Sequence, residues 1–438
     1  MLLKAFLRVL YLLLKQVVLL YQRIYYPFTV VRNRERLDLV GGGILVSNHP
    51  NTMTDPLHVA SRSRRQVFFL ANASMFKHPV ANFLLNHLYC IPVSRPGRDN
   101  KGPQVSLAES FARSFEHLAS GKVLFIAPEG SSFLERRLRP IKTGTARIAL
   151  GAEAQHDFQL GLTIVPSGLN YEHPRDCGSR LLIQVGEPLR VRDWQAAYAR
   201  NPKEAVEDLT ETLADRMRAL ILDTDDDEQD KLLYRLERIL QNDHPLSVDA
   251  HYDRAHELLT HLKSLRVTSP SAYTKLVSDA AGYARALREN RLTDRGVSCA
   301  AKPLFTLPTL VGFSAWLYGR LNHLFIYEIP RWLVRKLDLY EGYDATIKII
   351  AGAILTPVFY ALQYQGARWL WPQPWPWVYL LTLPFGAWLA WQYARYIQPR
   401  LEAQRWRRWS RQHPTQAKHL LAERDQLKSI VSAWLKTN

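Results

Sequence analysis

The chain has 438 residues, of which 47% are hydrophobic and 22% are charged. This composition excludes a disordered or low-complexity protein, and the length suffices for two domains. Only 3 cysteines are present, which argues against a disulfide scaffold and against a cysteine-rich zinc site. The formal net charge of +17 favours anionic partners, namely nucleic acid, an anionic membrane or a phosphorylated substrate.

The basic residues concentrate at the two ends of the chain. Residues 1–36 carry seven Lys or Arg and one Glu, and residues 399–438 carry nine Lys or Arg and three Asp or Glu. Both ends adjoin very apolar sequence, and basic residues beside apolar segments are typical of membrane electrostatics. The sequence contains no DNA- or RNA-binding motif. We therefore expect membrane lipids as partners and no nucleic acid.

Residues 1–25 have the pattern of one amphipathic helix. At about 100° per residue, four polar side chains fall within one narrow stripe and apolar side chains cover the remaining surface. The four are Lys4, Arg8, Lys15 and Gln22. The pattern predicts a helix that lies in a membrane interface, with a helix buried in the protein's own core as the alternative. We assign residues 1–36 to this membrane-associating region.

Between residues 37 and 195, short apolar runs alternate with helical stretches. The strand candidates are 43–48, 67–72, 122–128, 162–170 and 181–189. A helix is predicted over 103–121, ending at a glycine. Alternation of this kind predicts an α/β domain with a mostly parallel sheet flanked by helices.

The C-terminal half changes character twice. Residues 196–298 are charged and helical, residues 299–398 are strongly apolar, and residues 399–438 form a basic tail. We assign these ranges to a charged helical region, a group of membrane-associated helices and a C-terminal tail.

Two uncharged stretches in the apolar region predict a transmembrane hairpin over 349–394. The stretches 349–367 and 369–394 are each long enough to cross a bilayer as a helix. Lys and Arg flank the pair but are scarce in its connector, which places both flanks in the cytoplasm. The active domain would then lie on the cytoplasmic side of the membrane. The alternative is a pair of helices lying in the membrane interface.

A histidine and an aspartate follow the first strand of the predicted sheet. His49 comes directly after the apolar run, and Asp55 follows six residues later. Ligand sites of α/β sheets lie outside the carboxyl ends of the strands. There, an imidazole can take a proton from an attacking hydroxyl while a carboxylate fixes its tautomer. The alternative is a helix-capping aspartate beside a packed histidine.

Five segments occur in the order of the glycerolipid acyltransferase motifs. They are SNHPNTMTDPLH (47–58), IPVSRPGRDN (91–100), FIAPEGSS (125–132), LRPIKTGTARIAL (138–150) and TIVPSGLNY (163–171). The chain thus resembles the PlsC-like lysophosphatidate and glycerol-3-phosphate acyltransferases over about residues 40–190. The family's first motif is NHxxxxD, whereas five residues separate His49 from Asp55 here. This longer spacing resembles HPN-type members and the fungal glycerol-3-phosphate acyltransferases.

The resemblance implies roles for the catalytic and phosphate-binding residues. His49 would be the general base on a glycerol hydroxyl, and Asp55 would orient it. Arg95 would bind the phosphate of the acceptor, because a guanidinium fork matches phosphate oxygens. Arg98 and Lys142 would assist, with an exposed, solvated side chain as the alternative for each.

The third motif supplies the remaining candidates of the acceptor site. By resemblance, Glu129 would organise an arginine or a glycerol hydroxyl, and Gly130 would allow close approach of the backbone. Ser131 joins them and stands where the family usually has Thr. Ala127 departs from the motif, which usually has Phe there.

The implied reaction moves an acyl chain from a thioester to 1-acylglycerol 3-phosphate and gives phosphatidate. The donor would be acyl-coenzyme A or acyl-acyl carrier protein, and neither a metal nor a bound organic cofactor is expected. Acylation of glycerol 3-phosphate to lysophosphatidate is the alternative reaction. A membrane-anchored scaffold without activity is the alternative to an enzyme.

Overall fold

The computed structural model describes residues 2–76, 79–87, 90–94 and 105–435. The chain divides into two compact units. Unit 1 comprises Met1–Asp223 and Leu339–Ile349, and unit 2 comprises Thr224–Asp338 and Ile350–Asn438. We call Leu339–Ile349 the return segment, because the chain comes back to unit 1 there.

The described residues of unit 1 form eight strands. They are β1 (Phe28–Arg32), β2 (Gly43–Ser47), β3 (Val67–Asn72), β4 (Cys90–Val93), β5 (Val123–Ile126), β6 (Thr163–Tyr171), β7 (Arg180–Val185) and β8 (Leu189–Arg190). The helices within Met1–Asp223 of this unit are α1 (Leu2–Tyr25), α2 (Thr54–Ala60), α3 (Pro79–His87), α4 (Leu107–Ala119), α5 (Gly144–Ala154), α6 (Gln195–Arg200) and α7 (Pro202–Arg218).

The strands form one sheet in the order β1-β7-β6-β2-β5-β3-β4, with β8 paired to β6. All neighbours are parallel except the pairs of β6 with β7 and with β8. The central strand β2 is aligned in register with β5 on one side and β6 on the other. The predicted α/β architecture with a mostly parallel sheet is confirmed.

Burial on both faces explains why the central strands read as continuous apolar runs. Along β2, Ile44 and Val46 belong to the core on one face of the sheet, and Leu45 belongs to the core on the other. All three side chains are buried. Helices α4, α5 and α7 contribute to the first core, and Ala345 of the return segment contributes to the second.

Two strands of unit 1, β1 and β4, lie outside the five strand candidates, although the resemblance to the second motif places a strand before Arg95. β1 lies within the region assigned to the N-terminal membrane helix, because α1 ends at Tyr25, two residues before Pro27. β1 then pairs in parallel with β7, and Phe28 is aligned with Arg180. β4 has four residues and lies at the opposite edge of the sheet, where a short strand carries little pattern.

Helix α1 turns Lys15 and Gln22 towards the rest of unit 1 and leaves many of its large apolar side chains exposed. Gln22 is buried and accepts hydrogen bonds from the Ser61 hydroxyl and the Arg62 guanidinium, each at 3.0 Å. Lys15 donates to the Ser63 carbonyl oxygen. The large apolar residues with exposed side chains are Phe6, Val9, Leu12, Leu13, Leu14, Val17, Leu20 and Ile24. The predicted helix is present, and its placement in a membrane interface stays a prediction.

Unit 1 extends beyond the predicted boundary at residue 195. Helix α7 packs on the sheet through Leu209 and Leu213, which are fully buried in the core that α4 and α5 share. The return segment also belongs to this unit, although about 290 positions separate it from β2. The first part of the predicted charged helical region is therefore part of the α/β fold.

Unit 2 is helical throughout its described residues. It contains α8 (Asp227–Asp243), α9 (Val248–Thr268), α10 (Pro270–Glu289), α11 (Asp294–Ser298), α12 (Leu307–Asn322), α13 (Leu324–Leu337), α15 (Trp375–Gln412) and α16 (Pro414–Trp434). Helix α14 (Asp344–Leu370) begins in the return segment and continues in unit 2.

One helical stretch among the described residues, Glu341–Leu370, is long and apolar enough to cross a membrane. It contains the first arm of the predicted hairpin. The second arm lies in α15, which extends to Gln412 and does not meet that criterion. The hairpin over 349–394 therefore stays a prediction.

Candidate active site

The site forms where β2 ends at the carboxyl edge of the sheet. Asn48 follows the last residue of β2 and binds β6 with both atoms of its side-chain amide. Its Nδ2 donates to the Leu169 carbonyl oxygen at 3.1 Å, and its Oδ1 accepts from the Leu169 N–H at 2.7 Å. This buried amide continues the strand pairing by one residue and fixes the position of His49 next to it.

His49 and Asp55 are in direct contact despite the longer spacing. The Nδ1–H of His49 donates to Asp55 Oδ2 at 3.0 Å, and Asp55 is fully buried while the histidine ring is 18% exposed. Asp55 Oδ2 also accepts from the Asn51 N–H at 2.6 Å, and Oδ1 accepts from the Tyr171 hydroxyl at 2.8 Å. Since Nδ1 binds the carboxylate, Nε2 is the nitrogen that remains for proton transfer.

In the part of the chain that the structure describes, the basic partner of the Asp55 carboxylate is His49 and not a lysine or an arginine. Burial raises the pKa of Asp55, and its hydrogen bonds to His49, Asn51 and Tyr171 oppose that rise. A carboxylate in contact with an imidazole can stabilise the imidazolium that forms during proton transfer. The pair can therefore accept a proton at Nε2 and stabilise the resulting imidazolium.

The turn after β5 holds the loop that carries His49. Glu129 is buried, and its carboxylate accepts from the His49 N–H at 2.8 Å and from the Arg139 N–H at 3.1 Å. The Phe133 N–H donates to the His49 carbonyl oxygen at 3.2 Å, and the Thr52 N–H donates to the Ser132 hydroxyl at 3.1 Å. Burial raises the pKa of Glu129 to about 7. The predicted partners of Glu129 were an arginine side chain or a glycerol hydroxyl, whereas the structure shows two backbone amides.

Gly130 and Lys142 lie against each other beside this turn. Gly130 has φ +69°, and a Cβ there would come within 2.9 Å of Lys142 Nζ. The Lys142 N–H donates to the Pro128 carbonyl oxygen at 2.9 Å, and its side chain is exposed. The left-handed φ favours glycine at position 130, and the lysine ammonium lies close to the backbone of the third motif. Ser131 follows in the same turn and is half-buried.

Arg95 and Arg98 lie outside the described residues, so their predicted phosphate contacts stay predictions. In the part of the chain that the structure describes, no group of three or more His, Cys, Asp or Glu residues could hold a metal ion.

The structure adds Tyr171 to the site. This residue ends β6, and the buried ring places its hydroxyl on Asp55. The sequence carried one signal, since Tyr171 is the last residue of the segment that resembles the fourth motif. Its distance of 116 positions from Asp55 gave no local indication of the contact.

Comparisons with known proteins indicate an acyltransferase domain. Residues 29–170 match the family model described as Acyltransferase. Glycerol-3-phosphate O-acyltransferase 1 of Saccharomyces cerevisiae is 32% identical over 132 residues, which cover 30% of this chain and 17% of the yeast protein. Glycerol-3-phosphate O-acyltransferase 2 of the same yeast is 28% identical over 201 residues, covering 39% of this chain and 26% of that protein. The chain thus matches about a quarter or less of the length of these relatives.

Among solved structures, the chain is similar to the 1-acyl-sn-glycerophosphate (LPA) acyltransferase PlsC from Thermotoga maritima. The match has 15% sequence identity and a TM-score of 0.34, and it covers 47% of this chain and 80% of PlsC. The family model spans four of the five motif segments completely and ends within the fifth, and the names of both yeast relatives are those of acyltransferases. Residues 29–170 therefore match the acyltransferase family model, as the order of the motifs predicts.

Proposed function

We propose that the chain is an O-acyltransferase that moves an acyl chain from a thioester to a hydroxyl of a glycerol phosphate. The observation that carries this proposal is the contact of His49 Nδ1 with the buried Asp55 carboxylate at 3.0 Å. It leaves Nε2 on a partly exposed ring at the carboxyl edge of the sheet, where a substrate hydroxyl can reach it.

In the proposed reaction, Nε2 of His49 takes the proton of the acceptor hydroxyl as its oxygen attacks the thioester carbonyl. The tetrahedral intermediate then expels the thiolate, which receives the proton back from the imidazolium. Asp55 stabilises the imidazolium between the two proton transfers. The products are an ester and a free thiol, and the chain needs no nucleophile of its own.

The acceptor phosphate would be bound by basic side chains of the second motif and of the segment after the third. Arg95 takes the first place in this proposal, with Arg98 and Lys142 assisting. Lys142 supports the assignment because its ammonium lies over Gly130, in the turn whose Glu129 binds the backbone of His49. Ser131 is the neighbouring hydroxyl of this turn.

Two acceptors have separate support. Two yeast relatives are named glycerol-3-phosphate O-acyltransferases, which favours glycerol 3-phosphate. The exposed apolar side of α1, which belongs to the same unit as His49, favours a membrane-resident acceptor such as 1-acylglycerol 3-phosphate. The first acceptor would give lysophosphatidate and the second would give phosphatidate.

We place the enzyme on the cytoplasmic side of a membrane. The exposed apolar face of α1 and the candidate span Glu341–Leu370 support membrane association. The Lys and Arg residues that flank the proposed hairpin support the cytoplasmic orientation.

The test is acyl transfer by the purified full chain in phospholipid vesicles. Radiolabelled acyl-coenzyme A and acyl-acyl carrier protein are each offered with glycerol 3-phosphate and with 1-acylglycerol 3-phosphate. We expect label in one lysophosphatidate or phosphatidate product with wild type and almost none with His49→Ala. A folded wild-type chain that acylates neither acceptor from either donor would support the scaffold alternative.

A further inference from the structure

The loop between His49 and Asp55 contains a residue in an unfavourable backbone conformation. Thr52 has φ +44°, in the left-handed region that β-branched residues rarely adopt. The residue is buried, and the turn around it is closed by hydrogen bonds from the Thr54 N–H to the Asn51 carbonyl and from the Asp55 N–H to the Thr52 carbonyl. A strained residue of this kind persists only where its surroundings hold it.

The return segment holds Thr52 in this conformation through two hydrogen bonds. The Thr52 hydroxyl donates to the Gly342 carbonyl oxygen at 2.9 Å, and it lies 3.2 Å from the Thr346 hydroxyl. Because the Gly342 carbonyl oxygen can only accept, it takes the one hydrogen of the Thr52 hydroxyl. The Thr346 hydroxyl is therefore the donor in its contact with Thr52. Gly342 itself is tightly enclosed, since a Cβ there would lie 2.6 Å from the Tyr340 ring and 3.2 Å from Thr52 Cγ2.

The return segment is itself fixed to unit 1 on both sides of this contact. The Tyr340 hydroxyl accepts from the Leu134 N–H at 2.6 Å, in the loop that follows the third motif. Arg175 binds Glu341 at 2.6 Å and Asp344 at 2.7 Å. The segment is therefore a rigid support against which the His49 loop can rest.

The left-handed turn at Thr52 lies in the loop that has the longer spacing. Five residues separate His49 from Asp55, one more than in NHxxxxD, yet the two side chains meet at 3.0 Å. We propose that the return segment is a positioning element of the catalytic site, in which Gly342 and Thr346 hold Thr52 in its left-handed turn. Thereby they set the contact between His49 and Asp55.

This proposal rests on the proposed function, and it assigns a role to residues far outside the matched acyltransferase region. Gly342 and Thr346 touch no reacting atom, so their effect must pass through Thr52. A disturbed loop should lower kcat, because a displaced base loses alignment with the hydroxyl, and should leave both KM values nearly unchanged.

The experiment compares Thr346→Val with a matched control on the same helix, Thr356→Val. Thr356 donates to the Gly352 carbonyl within α14 and has the same side chain. We expect Thr346→Val to lower kcat roughly ten- to hundredfold, with both KM values within about twofold of wild type. Thr346→Ser keeps the hydroxyl and should restore kcat, and Thr356→Val should not change it.

Thr52→Gly provides the second arm, because glycine adopts the left-handed turn without support. In that background, Thr346→Val should cause no further loss of kcat, so the two substitutions should be non-additive. An unchanged kcat in Thr346→Val, or an equal loss in both backgrounds, would overturn the proposal.

Hydrogen exchange of the peptide over 49–55 separates this proposal from the proposed function. We expect faster exchange at Asn51, Thr54 and Asp55 in Thr346→Val than in wild type and in Thr356→Val. If wild type transferred no acyl group, the proposed function would fail and exchange alone would decide the positioning role. Equal exchange in Thr346→Val and wild type would then refute it.

Discussion

Two buried carboxylates, one in each unit, each accept a hydrogen bond from a tyrosine but have different nitrogen-bearing partners. Asp55 in unit 1 and Asp294 in unit 2 each accept from a tyrosine hydroxyl at 2.8 Å, from Tyr171 and Tyr283 respectively. Asp294 also binds the Arg424 guanidinium at 2.7 Å. The corresponding partner of Asp55 is an imidazole, which can gain and lose a proton.

The carboxylate next to Asp294, Asp243, is also paired with permanent cations. Arg424 also binds Asp243 at 2.7 Å, and Lys428 binds Asp243 at 2.5 Å. Burial raises the pKa of Asp243, but the hydrogen bonds of Arg424 and Lys428 bring it below its usual range. Asp243 and Asp294 pair with permanent cations and therefore have a structural role. Asp55 contacts a titratable ring and can therefore assist proton transfer.

Removing the imidazole should have the largest effect on the reaction. We expect His49→Ala to lower kcat by ~10²–10⁴-fold, since general-base catalysis contributes that much. The exposed His156 provides a control, and His156→Ala should retain wild-type kcat. Near wild-type transfer by folded His49→Ala would show that another group is the base.

Removing the guanidinium of unit 2 should affect stability and leave the chemistry intact. We expect Arg424→Leu to lower the free energy of unfolding by about 3–5 kcal/mol, because the buried Asp294 loses its cation and the half-buried Asp243 loses one of two. The kcat per folded molecule should not change. Thermal unfolding in detergent measures the effect, with the exposed Arg411→Leu as control. Equal melting temperatures for the two variants would contradict the structural role of Arg424.

Glu129 should make stability depend on pH. Burial raises the pKa of its carboxyl from the ordinary 4.5 to about 7 in the folded chain. The folded state therefore binds more protons in this range, and stability should fall as pH rises from 4.5 to about 7. The fall is at most about 3 kcal/mol at 1.36 kcal/mol per pKa unit.

The measurement is the melting temperature of wild type and Glu129→Gln at a series of pH values. The variant cannot ionise at this position, so its melting temperature should depend less on pH than that of wild type. Parallel curves would show that Glu129 does not titrate in this range.

Loss of the Tyr171 hydroxyl should lower the rate of acyl transfer, whereas loss of the Tyr283 hydroxyl should lower only stability. We expect Tyr171→Phe to lower kcat roughly tenfold, at the low end for a hydrogen bond to a charged group, because Asp55 keeps two other donors. Tyr283→Phe should leave kcat unchanged and lower only the melting temperature. A similar kcat for the two variants would remove the functional distinction between the carboxylates.

Much of unit 1 could be predicted because its signals are local. The central strands are buried on both faces and read as short apolar runs, and His49 and Asp55 lie six positions apart after one of them. The edge strands β1 and β4 lacked such a pattern, and β1 lay within sequence assigned to a membrane helix.

The rest of the site depends on contacts between distant segments. Thr52 meets Gly342 across 290 positions, and Tyr171 meets Asp55 across 116 positions. Neither contact leaves a periodic or compositional pattern in one sequence. The partners of Glu129 were missed for a related reason, since backbone amides carry no residue identity.

The most direct test of the catalytic pair is the rate of acyl transfer by Asp55→Asn. Asparagine keeps the shape of the side chain, but it removes the charge that stabilises the imidazolium and fixes its tautomer. With the melting temperature near that of wild type, we expect kcat to fall at least about a hundredfold. A kcat within about threefold of wild type would contradict the assignment of His49 and Asp55 as the catalytic pair.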